Sequence, residues 1–245
     1  FDGTNNAKDH LQKLYITDNP NPTGEKDKFN NAEDGSEYSW RHGQYHPFYH
    51  SIQQERGYYD IFLISMTGDV VYTVFKELDY ASNVGQGEFS DSVLGRVFRA
   101  ARDLPAGAEI AFDDFKPYDP SFGAPASFVA RPVFDDNDRK IGVIAFQLPI
   151  DQMQAIIGDR QGLSETTDII IVANDMTSRS ASVLGDTAPI MSPVESNAAI
   201  SSALAKKSGI EVLIGNDGVE YKLAYQPINF FGATWAMMAA EPVDV

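Results

Sequence analysis

The sequence predicts an α+β protein in which an N-terminal helical region precedes two similar domains, each with an antiparallel sheet. Three observations lead to this. Residues 1–57 have helix-like spacing around a polar middle, residues 58–158 carry strand-like runs, and the same order of runs returns in residues 159–245. A pattern that occurs twice indicates a tandem pair of domains and not a solenoid.

Two helices are expected in residues 1–57. Leu11, Leu14 and Tyr15 share one helical face. The stretch "TDNPNPTGEKDK" then favours turns, and "YHPFYHSIQQERG" predicts a second helix with Pro47 in its first turn and Gly57 at its end. We expect this region to pack along both domains or against a partner chain.

The first domain begins with a hairpin, because residues 59–65 and 70–76 flank the turn signal "MTGD". The next element is a helix over "SDSVLGRVFRAARDL", with Ser90 or Asp91 as its N-cap. Three strands follow over "EIAFDDF", "ASFVARPVF" and "RKIGVIAFQL", and the short helix "DQMQAIIG" leads out of the domain.

The second domain repeats this order. Residues 167–172 echo residues 59–64, so that Asp168 corresponds to Asp60, and Pro227 corresponds to Pro132. The stretch "SNAAISSALAKKSG" takes the place of the first domain's helix. We therefore predict that both halves contain five-stranded antiparallel sheets with the same strand order.

Composition narrows the function. The net charge of −16 over 245 residues argues against nucleic acid and anionic membrane surfaces as partners. The absence of cysteine excludes disulfides, thiolate metal sites and a cysteine nucleophile. No nucleophile elbow, Walker loop or dinucleotide fingerprint occurs, so we expect neither an enzyme nor a cofactor.

Several stretches carry a family resemblance. They are "RGYYDIFLISMTGDVVYTVFKELDYASN", "LGRVFRAA", "FDDFKPYDPSFGAPASFVARPVF" and "KIGVIAFQLPIDQM". They resemble the ligand-binding ectodomains of bacterial methyl-accepting chemotaxis proteins and sensor histidine kinases, which have the double Cache architecture of two tandem PAS-like domains. The second half departs from the usual pattern, since "ANDMTSRSAS" stands where such receptors often have a glycine-rich turn.

The resemblance implies a periplasmic sensor module of an inner-membrane receptor. Residues 58–158 would form the membrane-distal domain that binds a small molecule, and residues 159–245 the membrane-proximal domain. A membrane helix on each side, a cytoplasmic signalling module and a homodimer of the full receptor are also implied. The alternative from another class is a structural or protein-docking ectodomain with a vestigial pocket, which senses through a periplasmic binding protein.

The stretch "FDDFKPYDPSFGAP" is the first candidate ligand site. Strand alternation places Phe112 and Asp114 on one face and Asp113 on the other, and Phe128 on the next strand has the parity to face the same cavity. A carboxylate in an apolar pocket is costly unless paired, and a ligand ammonium is a suitable partner. In the sensors that the chain resembles, an Asp near this place binds the ligand's amino group. Alternatively, Asp114 caps a turn or pairs with Arg131.

The loop after Asp114 adds Tyr118 and Ser121 as hydrogen-bond donors. The segment before the helix, "KELDYASNVGQGEFSDSVLGRVF", adds lining residues, or else ordinary packing and a helix cap. They are Tyr80, Asn83, Ser90 and Ser92. In the family that the chain resembles, amino-acid sensors carry an Arg-x-Trp-Tyr motif in this segment. This chain lacks that motif, so an amine or an unusual zwitterion is the expected ligand.

Three histidines, His42, His46 and His50, have the i, i+4, i+8 spacing of one helical face. Pro47 lies within that run and disfavours a continuous helix, so we expect surface or hinge histidines and no metal site. The stretch "DDNDRK" lacks the glycine and terminal glutamate of a calcium loop and predicts a solvated hairpin turn.

Overall fold

The computed structural model describes residues 5–107, 110–159, 161–182, 190–215 and 218–243. The chain divides into two compact units, Phe1–Pro149 and Ile150–Val245. Each unit contains one antiparallel sheet, and the first also contains the N-terminal helices. The predicted α+β class is therefore confirmed. In the part of the chain that the structure describes, no helix combines the length and apolar character needed to cross a bilayer.

The N-terminal region is helical, as predicted. Helix α1 covers Asn5–Gln12 and continues as a π-helical turn over Lys13–Thr17. Helix α2 covers Glu37–Arg56. It begins where the Ser36 hydroxyl accepts a hydrogen bond from the Ser39 N–H, and it ends at Gly57, whose φ of 68° suits the left-handed C-cap that glycine favours.

The prediction that Pro47 would lie in the first turn of its helix was wrong, because α2 runs through it without a break. A proline in a helix interior costs about 3 kcal/mol. Tertiary packing offsets that cost here: His42 and His46 are only 4% and 3% exposed and lie against tyrosine rings, Tyr15 at 4.6 Å from His42 and Tyr72 at 5.9 Å from His46. The expectation of surface histidines was therefore wrong for these two.

The first sheet has the strand order β2-β1-β5-β4-β3. Its apolar core lies between the sheet and helix α3, and helix α2 packs near the opposite face through Tyr49 and Ile52. The elements are β1 Asp60–Ser65, β2 Val70–Thr73, α3 Val93–Asp103, β3 Ala111–Tyr118, β4 Ala124–Phe134 and β5 Lys140–Gln147.

The second sheet has the order β6-β9-β8-β7, which matches β1-β5-β4-β3 of the first sheet. The corresponding prolines also coincide, since Pro132 lies in β4 and Pro227 in β8. Helix α5 packs on one face of this sheet, against side chains of β6, β8 and β9. The elements are α4 Ile150–Ile157, β6 Asp168–Val172, α5 Ala198–Leu204, β7 Gly209–Ile214, β8 Glu220–Phe230 and β9 Ala233–Pro242.

The prediction of five strands in the second sheet was wrong for the described residues, which form four. Where a second hairpin strand was expected, only the isolated bridges Val172↔Ser178 and Thr177↔Pro193 occur. The Asp175 carboxylate accepts from the Thr177 N–H at 3.2 Å and hydroxyl at 2.7 Å. Such local side-chain bonds compete with a strand ladder.

Candidate functional site: a buried carboxylate cluster in the first unit

The candidate site lies at one end of the α3-covered face of the first sheet. Residues directly opposite one another on neighbouring strands place their side chains on the same face. Asp60 on β1 is paired with Gln147 on β5, and Gln147 is paired with Phe128 on β4. The next row along this face, which includes Phe62, belongs to the apolar core. Asp60 and Gln147 are therefore polar side chains at the edge of an apolar layer.

The segment after β2 adds Glu77 and Asp79, and Asp79 is completely buried. We call Asp60, Glu77, Asp79 and the Gln147 amide the carboxylate cluster. Three hydroxyls donate to it. The Tyr118 hydroxyl donates to Asp79 Oδ2 at 2.5 Å, the Ser121 hydroxyl to Glu77 Oε2 at 2.5 Å, and the Tyr59 hydroxyl to Glu77 Oε1 at 2.9 Å.

Three buried acceptor atoms of the cluster have no hydrogen-bond partner among the described residues: Asp60 Oδ2, Asp79 Oδ1 and Gln147 Oε1. The other oxygen of Asp60 is well used, because it accepts from the backbone N–H groups of Ile61, Val74 and Phe75 at 2.7–3.0 Å. A buried acceptor without a partner is costly. These three acceptor atoms would therefore favour the binding of a group that supplies hydrogen-bond donors.

Burial also changes the ionisation of the cluster. Desolvation, followed by the nearby Asp79 carboxylate, raises the pKa of Asp60 well above its usual value. Desolvation raises the pKa of Asp79 to about 7, and that of Glu77 is raised for the same reason. The Asp79 carboxyl therefore titrates near neutral pH, and a bound cation would favour the ionised form of all three carboxyls.

Lys76 is the buried cation beside the cluster. Its ammonium donates to the carbonyl of Val74 at 3.0 Å, and the side chain is 1% exposed. Burial lowers the pKa of Lys76 to about 7, although the negative charges of Asp60 and Asp27 act in the opposite direction. Lys76 offers at most one positive charge against three carboxylates.

Three of the residues predicted to bind a ligand are at this cluster. Tyr118 and Ser121 donate to its carboxylates, and the buried ring of Phe128 packs edge-to-face on Tyr118 with centroids 5.2 Å apart. Tyr80 is buried instead in the aromatic cluster of the N-terminal helices, where its hydroxyl lies 2.6 Å from that of Tyr38.

The other predicted lining residues of the segment before α3 make structural contacts. Asn83 holds the hairpin turn, because its amide donates to Asp69 Oδ1 at 2.8 Å. Ser92 is the N-cap of α3, and the Ser90 carbonyl accepts from Arg99 at 2.6 Å. A ligand role for these residues stays a prediction.

The predicted geometry around Asp114 was wrong because β3 contains a register shift between Asp113 and Lys116. Asp113 is paired with Phe128 and forms an ion pair with Arg96 of α3 at 2.6 Å, so it lies on the α3 side. Phe112 is paired with Val129, on the opposite face from Phe128. The Asp114 carboxylate accepts from the adjacent Phe115 N–H at 2.7 Å. Whether Asp114 binds a ligand stays a prediction.

Sequence reasoning missed Asp60, Glu77, Asp79 and Gln147 as site residues. One signal was present: Asp60 opens the apolar strand "DIFLIS", and Gln147 closes "KIGVIAFQ". A polar residue in phase with the apolar face of a buried strand indicates either a paired charge or a binding group. The pairing of Asp60 with Gln147 depends on strand register over a long sequence separation.

The three histidines on α2 form a stacked ladder. His46 is bonded through both ring nitrogens, to the Tyr72 hydroxyl at 2.7 Å and the Asp27 carbonyl at 2.6 Å. His42 is bonded to the carbonyl of Asn30 at 2.7 Å, and His50 to the Asp27 carboxylate at 2.9 Å. Across the described ranges, no group of three His, Cys, Asp or Glu side chains is arranged to hold a metal ion.

Solved sensor domains have the same fold. The periplasmic sensory domain of the Campylobacter jejuni chemoreceptor Tlp1 is 12% identical, with a TM-score of 0.55 over 98% of this chain and 92% of that domain. The ligand-binding domain of C. jejuni Tlp3, in complex with 4-methylisoleucine, is 10% identical, with a TM-score of 0.56 over 99% of this chain and 81% of that one.

The ligand-binding domain of the Pseudomonas aeruginosa amino-acid chemoreceptor PctC, in complex with GABA, is 13% identical, with a TM-score of 0.51 over 76% of this chain and 75% of that one. No family model and no curated protein sequence matches the chain. The fold is thus that of the sensor domains of chemoreceptors, which confirms the tandem PAS-like architecture.

Proposed function

We propose that this chain is the extracytoplasmic ligand-binding module of a bacterial membrane receptor, either a chemoreceptor or a sensor kinase. It binds a small molecule in its membrane-distal first unit and carries out no reaction. The shared fold with chemoreceptor sensor domains supports this proposal. Binding shifts the population between two conformations, and the difference in ligand affinity between them is the signal that the membrane-proximal second unit passes on.

The ligand carries a primary ammonium group. The observation that supports this is the match between three unpartnered buried acceptors, Asp60 Oδ2, Asp79 Oδ1 and Gln147 Oε1, and the three N–H donors of an ammonium. Bonds from an ammonium to carboxylates are among the stronger hydrogen bonds in proteins. Desolvation raises the pKa of Asp60 and of Asp79, so a bound cation would favour the loss of their protons.

A ligand carboxylate finds weaker support. The ammonium of Lys76 is already bonded to the Val74 carbonyl. Two arginines of α3 are also engaged, Arg96 with Asp113 and Arg99 with the Ser90 carbonyl. We therefore favour primary amines, or zwitterions with a carboxylate far from the amino group, over common α-amino acids.

A thermal-shift panel tests this proposal. It contains methylamine, ethanolamine, putrescine, 4-aminobutanoate and the N-trimethylated form of each. A ligand that binds only the folded state raises the melting temperature by mass action. We expect at least one primary amine to do so and its trimethylated form to fail, since methyl groups cannot donate hydrogen bonds. Shifts with the trimethylated forms alone, or with none of the panel, would contradict the proposal; the second result would favour a protein-docking ectodomain.

We also propose that the full receptor is a homodimer through helix α2. Its outer surface carries three aromatic side chains that are 58–60% exposed, Trp40, Tyr45 and Phe48, and exposed aromatic patches of this kind mark interaction surfaces. Association of the excised module is expected to be weak, because membrane anchoring normally raises the local concentration. Sedimentation at rising concentration checks this: a Trp40→Lys variant should dimerise less than the wild type, and strictly monomeric behaviour of both would count against this interface.

A further inference from the structure

The carboxylate cluster lies between two walls that are held in different ways. One wall is the segment after β2, residues 76–84, and it is fixed to the rest of the unit. The Ala81 N–H donates to the Val70 carbonyl at 3.2 Å, and the Val84 N–H to the Gly68 carbonyl at 2.8 Å. From the N-terminal region, the Gln12 amide donates to the carbonyls of Leu78 and Tyr80 at 2.9 and 2.8 Å.

The other wall is residues 118–123, which we call the access loop. It begins at Tyr118, the last residue of β3, which is paired with Ala124 of β4. Its backbone bonds close within the loop, from the Phe122 N–H to the Asp119 carbonyl and from the Gly123 N–H to the Tyr118 carbonyl, both at 2.9 Å. The two hydroxyl bonds to carboxylates, from Tyr118 and Ser121, tie it to the cluster. Both bonds must break if the loop is to move away from residues 76–84.

The conformation of the access loop also favours movement. Phe122 has a φ of 56° and Gly123 a φ of 78°, so two consecutive residues are in the left-handed region that a phenylalanine rarely adopts. The Phe122 side chain is 77% exposed, and Leu78 on the fixed wall is 48% exposed. Both border a cavity of about 50 Å³ that Glu77 also lines. The cavity reaches the carboxylate cluster at Glu77.

We propose that the access loop is the gate of the ligand site. It swings away from residues 76–84, separates the Tyr118 and Ser121 hydroxyls from Asp79 and Glu77, admits the ligand and closes again. The identity of the ligand rests on the proposed function, whereas the opening of the loop is a property of this chain alone.

Thiol labelling measures the opening directly, because the chain has no cysteine of its own. Ser121→Cys places the only thiol in the access loop at a position that is 5% exposed, so its reaction with an aromatic disulfide reagent requires opening. Ser127→Cys is the matched buried control in β4, where the side chain is 0% exposed. Phe122→Cys is the exposed control.

We expect Ser121→Cys to react at least tenfold more slowly than Phe122→Cys and at least tenfold faster than Ser127→Cys. The primary amine of the panel that raises the melting temperature most, at saturation, should slow Ser121→Cys at least fivefold and leave Phe122→Cys unchanged. Circular dichroism checks that each variant is folded.

Equal rates for Ser121→Cys and Ser127→Cys would overturn the gate, since the loop would then open only on global unfolding. A bound amine that does not slow Ser121→Cys would overturn it too. If no amine in the panel binds, the proposed ligand class fails, and the ratio of the two labelling rates alone decides whether the access loop opens.

Discussion

The two sheets of this protein share a strand order but differ in the row of side chains at the same end of the helix-covered face. Strand pairing aligns four residues in each row. In the first unit the row begins with the buried Asp60 and Gln147. In the second unit Ala240 takes the place of Gln147. The rows are Asp60, Gln147, Phe128 and Asp113, against Asp168, Ala240, Leu223 and Glu211.

The two units differ most clearly in the burial of the corresponding aspartates, Asp60 and Asp168. Asp60 is completely buried, with three backbone donors on one oxygen and no described partner on the other. Asp168 is half-buried, and its carboxylate accepts from the Ser182 hydroxyl. The two aspartates thus correspond in position within their sheets and differ in their surroundings.

The opposite faces of the two sheets also differ. Helix α2 has 20 residues and packs near the first sheet, whereas α4, which leads into the second, has 8. Alternate residues of β7, namely Ile210, Val212 and Ile214, are 59–74% exposed. The first unit is therefore the more completely packed of the two, as a buried binding site requires.

The largest stability difference is expected between Asp60→Ala and Asp168→Ala. The first change removes the side-chain acceptor of three backbone N–H groups, of which that of Val74 also donates to the Ile61 carbonyl at 3.2 Å. It should lower the free energy of unfolding by about 2–4 kcal/mol. The second changes a half-buried carboxylate that accepts from the Ser182 hydroxyl, and it should cost less, about 1 kcal/mol. Urea unfolding of both variants measures this, and equal losses would show that the two aspartates are equivalent after all.

The pH dependence of amine affinity tests which unit binds. The pKa of Asp79 is raised to about 7, so below pH 7 its carboxyl must lose a proton before it can pair with an ammonium. Affinity should fall by up to about tenfold for each pH unit between 7 and 5. Calorimetric titration at several pH values checks this. An affinity that stays constant over this range would contradict binding at Asp79.

The histidine ladder gives the first unit an acid sensitivity that the second, which has no histidine, lacks. Burial lowers the pKa of His42 to about 2, whereas an unfolded histidine titrates near 6.5. The stabilising contribution is therefore fully present above pH 6.5 and is lost as the pH falls. The free energy of unfolding of the wild type minus that of His42→Phe should rise by about 1.4 kcal/mol per pH unit between pH 4 and 6. Denaturant titration would refute this by giving a constant difference.

The smallest losses of stability are expected at the N-caps of α3 and α5. The two units are alike there, because each cap side chain accepts a backbone hydrogen bond. The Ser92 hydroxyl accepts from the Gly95 N–H at 3.1 Å, and the Asn197 amide oxygen accepts from the Ile200 N–H at 2.8 Å. Ser92→Ala and Asn197→Ala should each cost about 1 kcal/mol in thermal or urea unfolding. A loss above about 2 kcal/mol at either position would mean that the residue does more than cap its helix.

The fold could be predicted because its signals are local. Alternating apolar residues, turn residues and the repeat itself all lie within short windows, and they fixed the class, the order of elements and the correspondence of Asp60 with Asp168. That the described residues 173–182 add no fifth strand to the second sheet was not predictable, since "MTSRSAS" has strand-like alternation and the Asp175 bonds to Thr177 depend on a turn conformation.

The site could be predicted only in part because it depends on register and on tertiary burial. The shift in β3 between Asp113 and Lys116 changes which side chains share a face, and parity counted along the sequence cannot detect it. Asp79 lies in a turn outside the strands, where no sequence periodicity predicts burial. It joins the cluster only through tertiary contacts such as the bond from the Tyr118 hydroxyl. The continuous helix through Pro47 likewise depends on packing that lies outside the helix.

The central claim, that the buried carboxylates of the first unit bind a primary ammonium, is tested most directly by one calorimetric comparison. The best primary amine of the panel is titrated at pH 7.5 into the wild type, Asp79→Asn and Asp114→Ala. Losing a buried charge partner costs about 2–5 kcal/mol, so Asp79→Asn should weaken binding by at least about 30-fold. Asp114→Ala should bind within about threefold of the wild type. Unchanged affinity of Asp79→Asn together with loss of binding in Asp114→Ala would contradict this account and place the ligand on β3 instead.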